Sequence, residues 1–208
     1  MDKSYSQMFQ ELIVLEHLNW LENGIYIEIG ALDGITHSNT RLLEQYFSWH
    51  GILVEPNPRF SSHLKENRGN NHLDFSAVYS RSGQKLKLLI AKNKGHSTLS
   101  EFTNDASIYE DEFEVESISL NDLLRKYLLP IKINYLSIDT EGGELGILES
   151  FTFQDYDIDF ISVEHNYGHE RQAIFELLTR HGFTRVLRNI SSVDDWYTSG
   201  SQSFYNQP

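Results

Sequence analysis

Four short runs of aliphatic and aromatic residues, each closed by a glycine or an acid, constrain this chain more than any other feature of its sequence. Residues 25–29 (IYIEI) stop at Gly30, 52–54 (ILV) at Glu55, 135–138 (YLSI) at Asp139 and 160–163 (FISV) at Glu164. Runs of this length and composition read as buried strands, and helical spacing lies between them. Strands alternating with helices argue for a mainly parallel sheet covered on both faces. Ligands of such sheets sit beyond the carboxyl ends of the strands, so Gly30, Glu55, Asp139 and Glu164 are expected along one rim.

The remaining segments fill in this α/β plan. Residues 4–21 set Leu12, Ile13, Leu15, Leu18, Trp20 and Leu21 at approximate helical spacing before Asn23-Gly24, which predicts an N-terminal helix, within residues 1–22, that caps the core or a site. The polar cluster Thr36-His37-Ser38-Asn39-Thr40 can cap a second helix carrying Leu42, Leu43, Tyr46 and Phe47, and Pro56 and Pro58 end the second strand. Further helices are expected at about 59–67, 120–128 and 170–180, and further strands at 73–78, 86–91, 115–118, 182–187 and Trp196-Tyr197. The expectation is a doubly wound, mainly parallel seven-stranded sheet with helices on both faces. Residues 92–112 are polar, contain glycine and exceed an ordinary connection, which suggests a loop on the substrate side.

With 208 residues, 39% of them hydrophobic, the chain can bury one core, and a single domain over 1–208 is expected. Its formal charge of -13 disfavours polyanions, so nucleic acid and anionic membranes are not expected partners, while a homodimer is compatible. Cysteine is absent, which removes disulfides and thiolate metal sites and makes the cytoplasm the default location. Glu11, Glu16 and His17 interrupt the N-terminal segment in a way foreign to a signal peptide. No stretch approaches the roughly 20 apolar residues of a membrane span.

Chemistry concentrates at the rim. In the turn Glu28-Ile29-Gly30-Ala31-Leu32-Asp33-Gly34, a glycine after the first strand admits close backbone approach, and the following helix N-terminus offers N–H groups to a carboxylate or phosphate. A dinucleotide fingerprint requires G-x-G-x-x-G, whereas Leu32 interrupts that spacing here, so a nicotinamide site fits poorly. Alone the turn could be a plain strand-to-helix connection. Glu55, 25 residues after Gly30, can accept both hydroxyls of a ribose, and the pair reads as a nucleoside-binding signature.

Asp139, Glu141 and Glu144 follow the third run within six residues and suit general-base work or a divalent metal, although acids enriched at a helix N-terminus would equally explain Glu141 and Glu144. Glu164-His165-Asn166 offers an acid, an imidazole and an amide facing Asp139 from a neighbouring strand. For His165 and Asn166, ordinary turn hydrogen bonding is the competing reading.

The blocks YIEIGALDGITHSNTRLLEQ, GILVEPNP, GHSTL, SIDTEGGELGILESF and ISVEH stand in the order and approximate spacing of the FkbM-family methyltransferases, which the chain resembles from about residue 25 to about 200. That class I family depends on S-adenosylmethionine. The resemblance implies that Glu28, Gly30 and Asp33 hold the methionine part, that Glu55 holds the ribose and that Ala77 lies near the adenine. Ala31, Ser38, Pro56 and Asp139 complete the implied cofactor shell, with helix capping an alternative role for Ser38 and Asn39. Asp139, Glu141 and Glu164 or His165, from the two acidic strand ends, are the candidate catalytic residues that would position the acceptor. By fold-level analogy with catechol-type O-methyltransferases, Asp139, Glu164 and Asn166 could hold an optional divalent cation such as Mg2+. The implied reaction is O-methylation of a hydroxyl on a small molecule or glycan, with a sugar-like acceptor favoured; His96, Phe102, Tyr109, Trp196 and Tyr197 could line a sugar pocket. Alternatives are an NAD-dependent oxidoreductase and a non-catalytic binding module on the same fold. Leu32-Asp33-Gly34 for Asn-Asp-Gly, and Gly142-Gly143-Glu144 for Gly-Ala-Glu, depart from the family pattern without removing a charge.

Overall fold

The computed structural model describes residues 4–92, 96–103, 105–128 and 130–200. In chain order the elements are α1 (Gln10–His17), β1 (Ile25–Ile29), α2 (Arg41–Phe47), β2 (His50–Val54), α3 (Ser61–Arg68), β3 (His72–Asp74), β4 (Ala77–Val78), β5 (Lys85–Ala91), β6 (Ser97–Leu99), β7 (Tyr109–Ile118), α4 (Leu120–Lys126), β8 (Lys132–Ile138), α5 (Glu144–Glu149), β9 (Asp157–Glu164), α6 (Arg171–Arg180), β10 (Phe183–Val186) and β11 (Asp194–Ser199). Short 3-10 turns occupy Ser100–Phe102, Ala106–Ile108 and Phe153–Asp155.

Seven strands form the main sheet in the order β10-β11-β9-β8-β1-β2-β3. The five from β9 to β3 are parallel, and β11 and β10 close one edge antiparallel. Strand order reverses between β1 and β8, the position where doubly wound sheets open a crevice. The central strands lack polar alternation because both faces are covered. Ile27, Ile29, Leu136 and Ile138 pack with Leu123, Ile147 and Leu178 from α4, α5 and α6, whereas Tyr26, Leu53 and Tyr135 pack with Leu15, Leu42 and Leu64 from α1, α2 and α3. Successive side chains point to opposite faces, so each strand feeds both cores.

Register aligns the rim. Ile29 stands opposite both Val54 and Ile138, and Ile138 opposite Val163. Gly30, Glu55, Asp139 and Glu164, each one residue further on, therefore end four adjacent strands at one level.

Three sequence expectations are corrected. A second sheet of four strands, β4-β7-β5-β6, takes the 86–91 run out of the main sheet and splits the expected strand 73–78 into β3 and β4. The expected loop 92–112 contains β6 and the start of β7, while residues 93–95 and 104 lie outside the described residues. Its polarity reflects an exposed strand face: Glu112 and Glu114 pair with Lys87 at 3.0 Å and Lys85 at 2.7 Å on β5. The N-terminal helix runs only from Gln10 to His17, and residues 1–3 lie outside the described residues. Phe9 before it and Asn19 and Trp20 after it have positive φ of 60°, 51° and 57°, which helix geometry excludes. Residues ahead of the helix instead donate to the Glu11 carboxylate, from Ser4 Oγ at 2.7 Å and the Tyr5 amide at 2.8 Å. No helix among the described residues is long and apolar enough to cross a membrane.

Candidate active site

A cavity of about 610 Å3 opens over this rim. On its β1 side, Gly30 has φ +90°, and its amide and that of Ala31 both donate to Val54 O at 3.0 Å. A Cβ at Gly30 would stand 2.1 Å from the Asp139 carbonyl oxygen, so glycine here serves the close approach of two strand ends. Leu32 then turns its amide onto Glu55 Oε2 at 2.8 Å, while Glu55 Oε1 accepts from the Asn57 amide at 2.8 Å. Each oxygen of Glu55 thus retains acceptor capacity. Burial pushes its carboxyl up to about 7, against the two amides that favour the charged form.

Asp33 lines the cavity but caps its own turn, accepting from the Ile35 and Thr36 amides at 2.9 and 2.7 Å and from Thr36 Oγ1 at 2.8 Å. Burial raises its pKa, yet these donors outweigh burial and hold it below the ordinary value. Pro56 and Ala77 line the same cavity; Ala31 is buried beside it in the core.

Glu28 and Ser38, implied as cofactor contacts, do not line the cavity. Glu28 accepts from Ser38 Oγ at 3.0 Å, the Asn39 amide at 2.6 Å and Thr40 Oγ1 at 2.5 Å, with Arg68 Nη1 at 3.8 Å. This buried network fastens the start of α2 to β1, and Ser38 acts as a cap through the Arg41 amide at 3.1 Å. One atom next to it is left over. Asn39, which does line the cavity, donates to Ser137 Oγ at 2.9 Å, but its Oδ1 is buried without a partner. That oxygen is closed off from the cavity by protein, so Asn39 ties the turn to β8 through Ser137 rather than offering a ligand a free acceptor.

Beyond β8 and β9, one carboxylate oxygen from each of Asp139, Glu141 and Glu164 lies within 4.8 Å of the others. Burial, then the neighbouring charges of Glu164 and Glu141, raises Asp139 well above the ordinary carboxylate value. Burial and the Glu141 charge push Glu164 up to about 8. Such a cluster shares protons or waits for positive charge. Glu141, at φ 58°, also meets His96 Nδ1 at 2.6 Å. Glu144 is turned away into capping, accepting from the Thr140 amide at 2.7 Å and Thr140 Oγ1 at 2.8 Å.

Two residues of the Glu164-His165-Asn166 group depart from expectation. His165 is buried off the cavity, its Nδ1 accepting from the Tyr167 amide at 3.0 Å and its Nε2 3.7 Å from Asp195, so it cannot reach an acceptor at Asp139. Asn166 lines the cavity but offers Nδ2 to Glu164 at 2.8 Å and Glu141 at 3.2 Å, the posture of a donor that organises the acids. Glu141 joins Asp139 and Glu164 as the third carboxylate of the cluster. Of the aromatic candidates, Phe102 lines the cavity, as does His96, whereas Trp196 and Tyr197 are core residues.

The sequence reading missed Gln10 and Asp194. Gln10 Nε2 donates to Asp194 Oδ2 at 2.7 Å, which holds α1 over the cavity next to β11. Burial raises the Asp194 carboxyl. An acid pair opening a strand before Trp196-Tyr197 is the signal that could have found it. Asp33, Glu55, Asp139, Glu141, Glu164 and Asp194 give the cavity six carboxylates, and no lysine or arginine is among the described residues that line it.

A family model described as the methyltransferase FkbM domain matches residues 28–193. Curated proteins include no match. Among solved structures, the METTL16 methyltransferase domain superposes with a TM-score of 0.50 at 14% identity, covering 91% of this chain and 65% of its own. Human methyltransferase 10 domain containing protein gives a TM-score of 0.49 at 12% identity over 96% of this chain and 84% of that one. A Pyrococcus horikoshii protein described as an RNA methyltransferase gives 0.44 at 14% identity over 86% and 66%. The chain spans about two thirds of the length of the first and last of these. At such identities the likeness concerns the fold.

Proposed function

The chain belongs to the FkbM-domain methyltransferases, and from that premise we propose that it transfers the methyl group of S-adenosylmethionine to a hydroxyl oxygen of a small molecule or glycan, with a sugar-like acceptor favoured. The observation that carries this reading is the set of six carboxylates without lysine or arginine around the cavity. A sulfonium ligand with an α-ammonium group is complementary to that field, whereas the pyrophosphate of a nicotinamide dinucleotide would be repelled. Glu55 would accept the ribose hydroxyls, Ala77 and Pro56 would flank the adenine, and Asp139 would receive the ammonium group.

The bound donor supplies an electrophilic methyl carbon. The chain must hold the acceptor oxygen in line with it and take up the hydroxyl proton as the O–C bond forms and the C–S bond breaks. Glu164 and Asp139 are suited to that proton once the cationic donor has driven off their own, because a carboxylate of raised pKa is the stronger base. His96 and Phe102 at the mouth offer a sugar both a polar contact and an apolar face.

A calorimetric titration of the full chain with S-adenosylmethionine and, separately, NAD+ tests the donor. Binding of the first and not the second is expected; the reverse would overturn the reading. A second reading, a divalent ion such as Mg2+ on Asp139, Glu141 and Glu164, is favoured by one carboxylate oxygen of each lying within 4.8 Å of the others. Titration with Mg2+ tests it, and heat with proton release would support it.

A further inference from the structure

On the far side of Asn166 lies a second groove of about 520 Å3, whose chemistry is the opposite of the first. Arg171, Arg185, Arg188, His169 and Gln172 line it, and no acid is among its described lining residues. In a chain of net charge -13 with 17 basic residues, three arginines on one groove are a pronounced local inversion.

Part of that charge is already answered. Asp195, 2% exposed, accepts from Arg171 Nε and Nη2 at 2.9 and 2.8 Å and from Arg185 Nη1 at 3.0 Å. One carboxylate for two guanidinium groups leaves one positive charge, and each arginine has five N–H donors, more than Asp195 engages. Arg188 is exposed and pairs with no acid among the described residues. The N-terminus of α6 opens at the same place, but Glu170 at its N-cap, 4.0 Å from His169, offsets its dipole, so the guanidinium groups carry the field. This pattern fits a single oxyanion held by forked donors.

Position connects the groove to the cavity. Asn166 lines the cavity and Gly168 lines the groove, and two residues of chain span at most about 7 Å. Between them stands Tyr167, 66% exposed, with the Arg171 guanidinium 5.9 Å from its ring centre. An exposed tyrosine ring is a platform for a sugar face.

We propose that the arginine groove holds a phosphate ester carried by the acceptor, so that the methylated hydroxyl sits over Asp139 and Glu164, a sugar ring lies against Tyr167 and the phosphate reaches Arg188, Arg171 and Arg185. This rests on the reading of the cavity as a methyl-transfer site. Nucleic acid is the less suited source of the phosphate, because it needs several phosphate contacts and one arginine cluster is set in an otherwise acidic chain.

The test uses the full chain saturated with S-adenosylmethionine, titrated with glucose 6-phosphate and with glucose. Glucose 6-phosphate is expected to bind about tenfold more tightly or better, weakening as salt rises, and Arg188→Glu is expected to abolish the difference while leaving the melting temperature and donor affinity unchanged. Arg188→Ala should give an intermediate loss. Equal binding of the two sugars, or a difference that survives Arg188→Glu, would overturn the proposal. So would binding of a short single-stranded RNA, lost in Arg188→Glu, without binding of the sugar phosphate. Donor binding is read separately: its absence in the unaltered chain would overturn the methyl-transfer reading, and with it the acceptor role of the groove.

Discussion

The carbonyl oxygen of Asp139 occupies the space in which residue 30 would carry its side chain, 2.1 Å from the position of a Cβ. The ends of β1 and β8, which present the glycine turn and the Asp139 cluster to one ligand, are thereby locked together. Gly30 also has φ +90°, a region costly for any other residue. Gly30→Ala should therefore lower stability by about 3 kcal/mol or more and weaken donor binding together, since neither backbone can yield alone. Gly83 is the control, with φ +75° and nothing within 4 Å of its Cβ position. Gly83→Ala should cost only about 1 kcal/mol and leave donor affinity unchanged. Thermal melts and calorimetry on the two variants check this.

Glu28 and Glu55 are both buried acids of the rim region, and the structure separates their roles. Glu28 is spent on Ser38, Asn39 and Thr40, so Glu28→Gln should destabilise the fold by about 1–3 kcal/mol by placing an amide N–H2 where an oxygen accepts from these donors, while Arg68 keeps its pair with Glu44, with donor affinity little changed in whatever remains folded. Glu55 keeps acceptor capacity toward the cavity, so Glu55→Gln should cost about tenfold or more in donor affinity. Equal binding losses in the two variants would contradict the distinction.

His165 sits behind the cavity wall, so it is not expected to carry a proton in turnover. His165→Asn, which can still accept from the Tyr167 amide, should keep kcat within about threefold of the unaltered chain. Asp139→Ala in the same assay should remove activity. A large loss of kcat in His165→Asn, with unchanged stability, would return the imidazole to the mechanism.

The rim was legible in the sequence because it follows from strand ends alone: Ile29, Val54, Ile138 and Val163 are each the last buried residue of a run, and parallel register does the rest. What escaped was partner choice. Glu28 reads as a site residue until Thr40 and Arg68 are seen to consume it, and residues 109–112 read as loop because the solvent face of β7 is charged. The acid pair Asp194-Asp195 ahead of Trp196-Tyr197 marks the position locally, but its partner Gln10 is 184 positions away, and no local pattern encodes that contact.

The raised acids around the cavity give the last prediction its sign. Glu164 is pushed to about 8, Glu55 to about 7, and Asp139 also upward, so between the ordinary carboxylate range and about pH 8 the folded chain holds more protons than the unfolded one. Stability from these groups is therefore greatest at low pH and is lost as pH rises through their folded values. His17 and His165, held neutral by burial, act in the opposite direction near their ordinary value. The clean measurement is thus a difference: Glu164→Gln should gain stability over the unaltered chain as pH climbs from about 5, with the gain levelling off above about 8. A cationic donor reverses the balance, because it favours the ionised acids. Its affinity should rise toward pH 8, and calorimetry near pH 7 in buffers of different ionisation enthalpy should detect proton release. Binding that is independent of pH and releases no proton would mean that the donor does not meet these carboxylates.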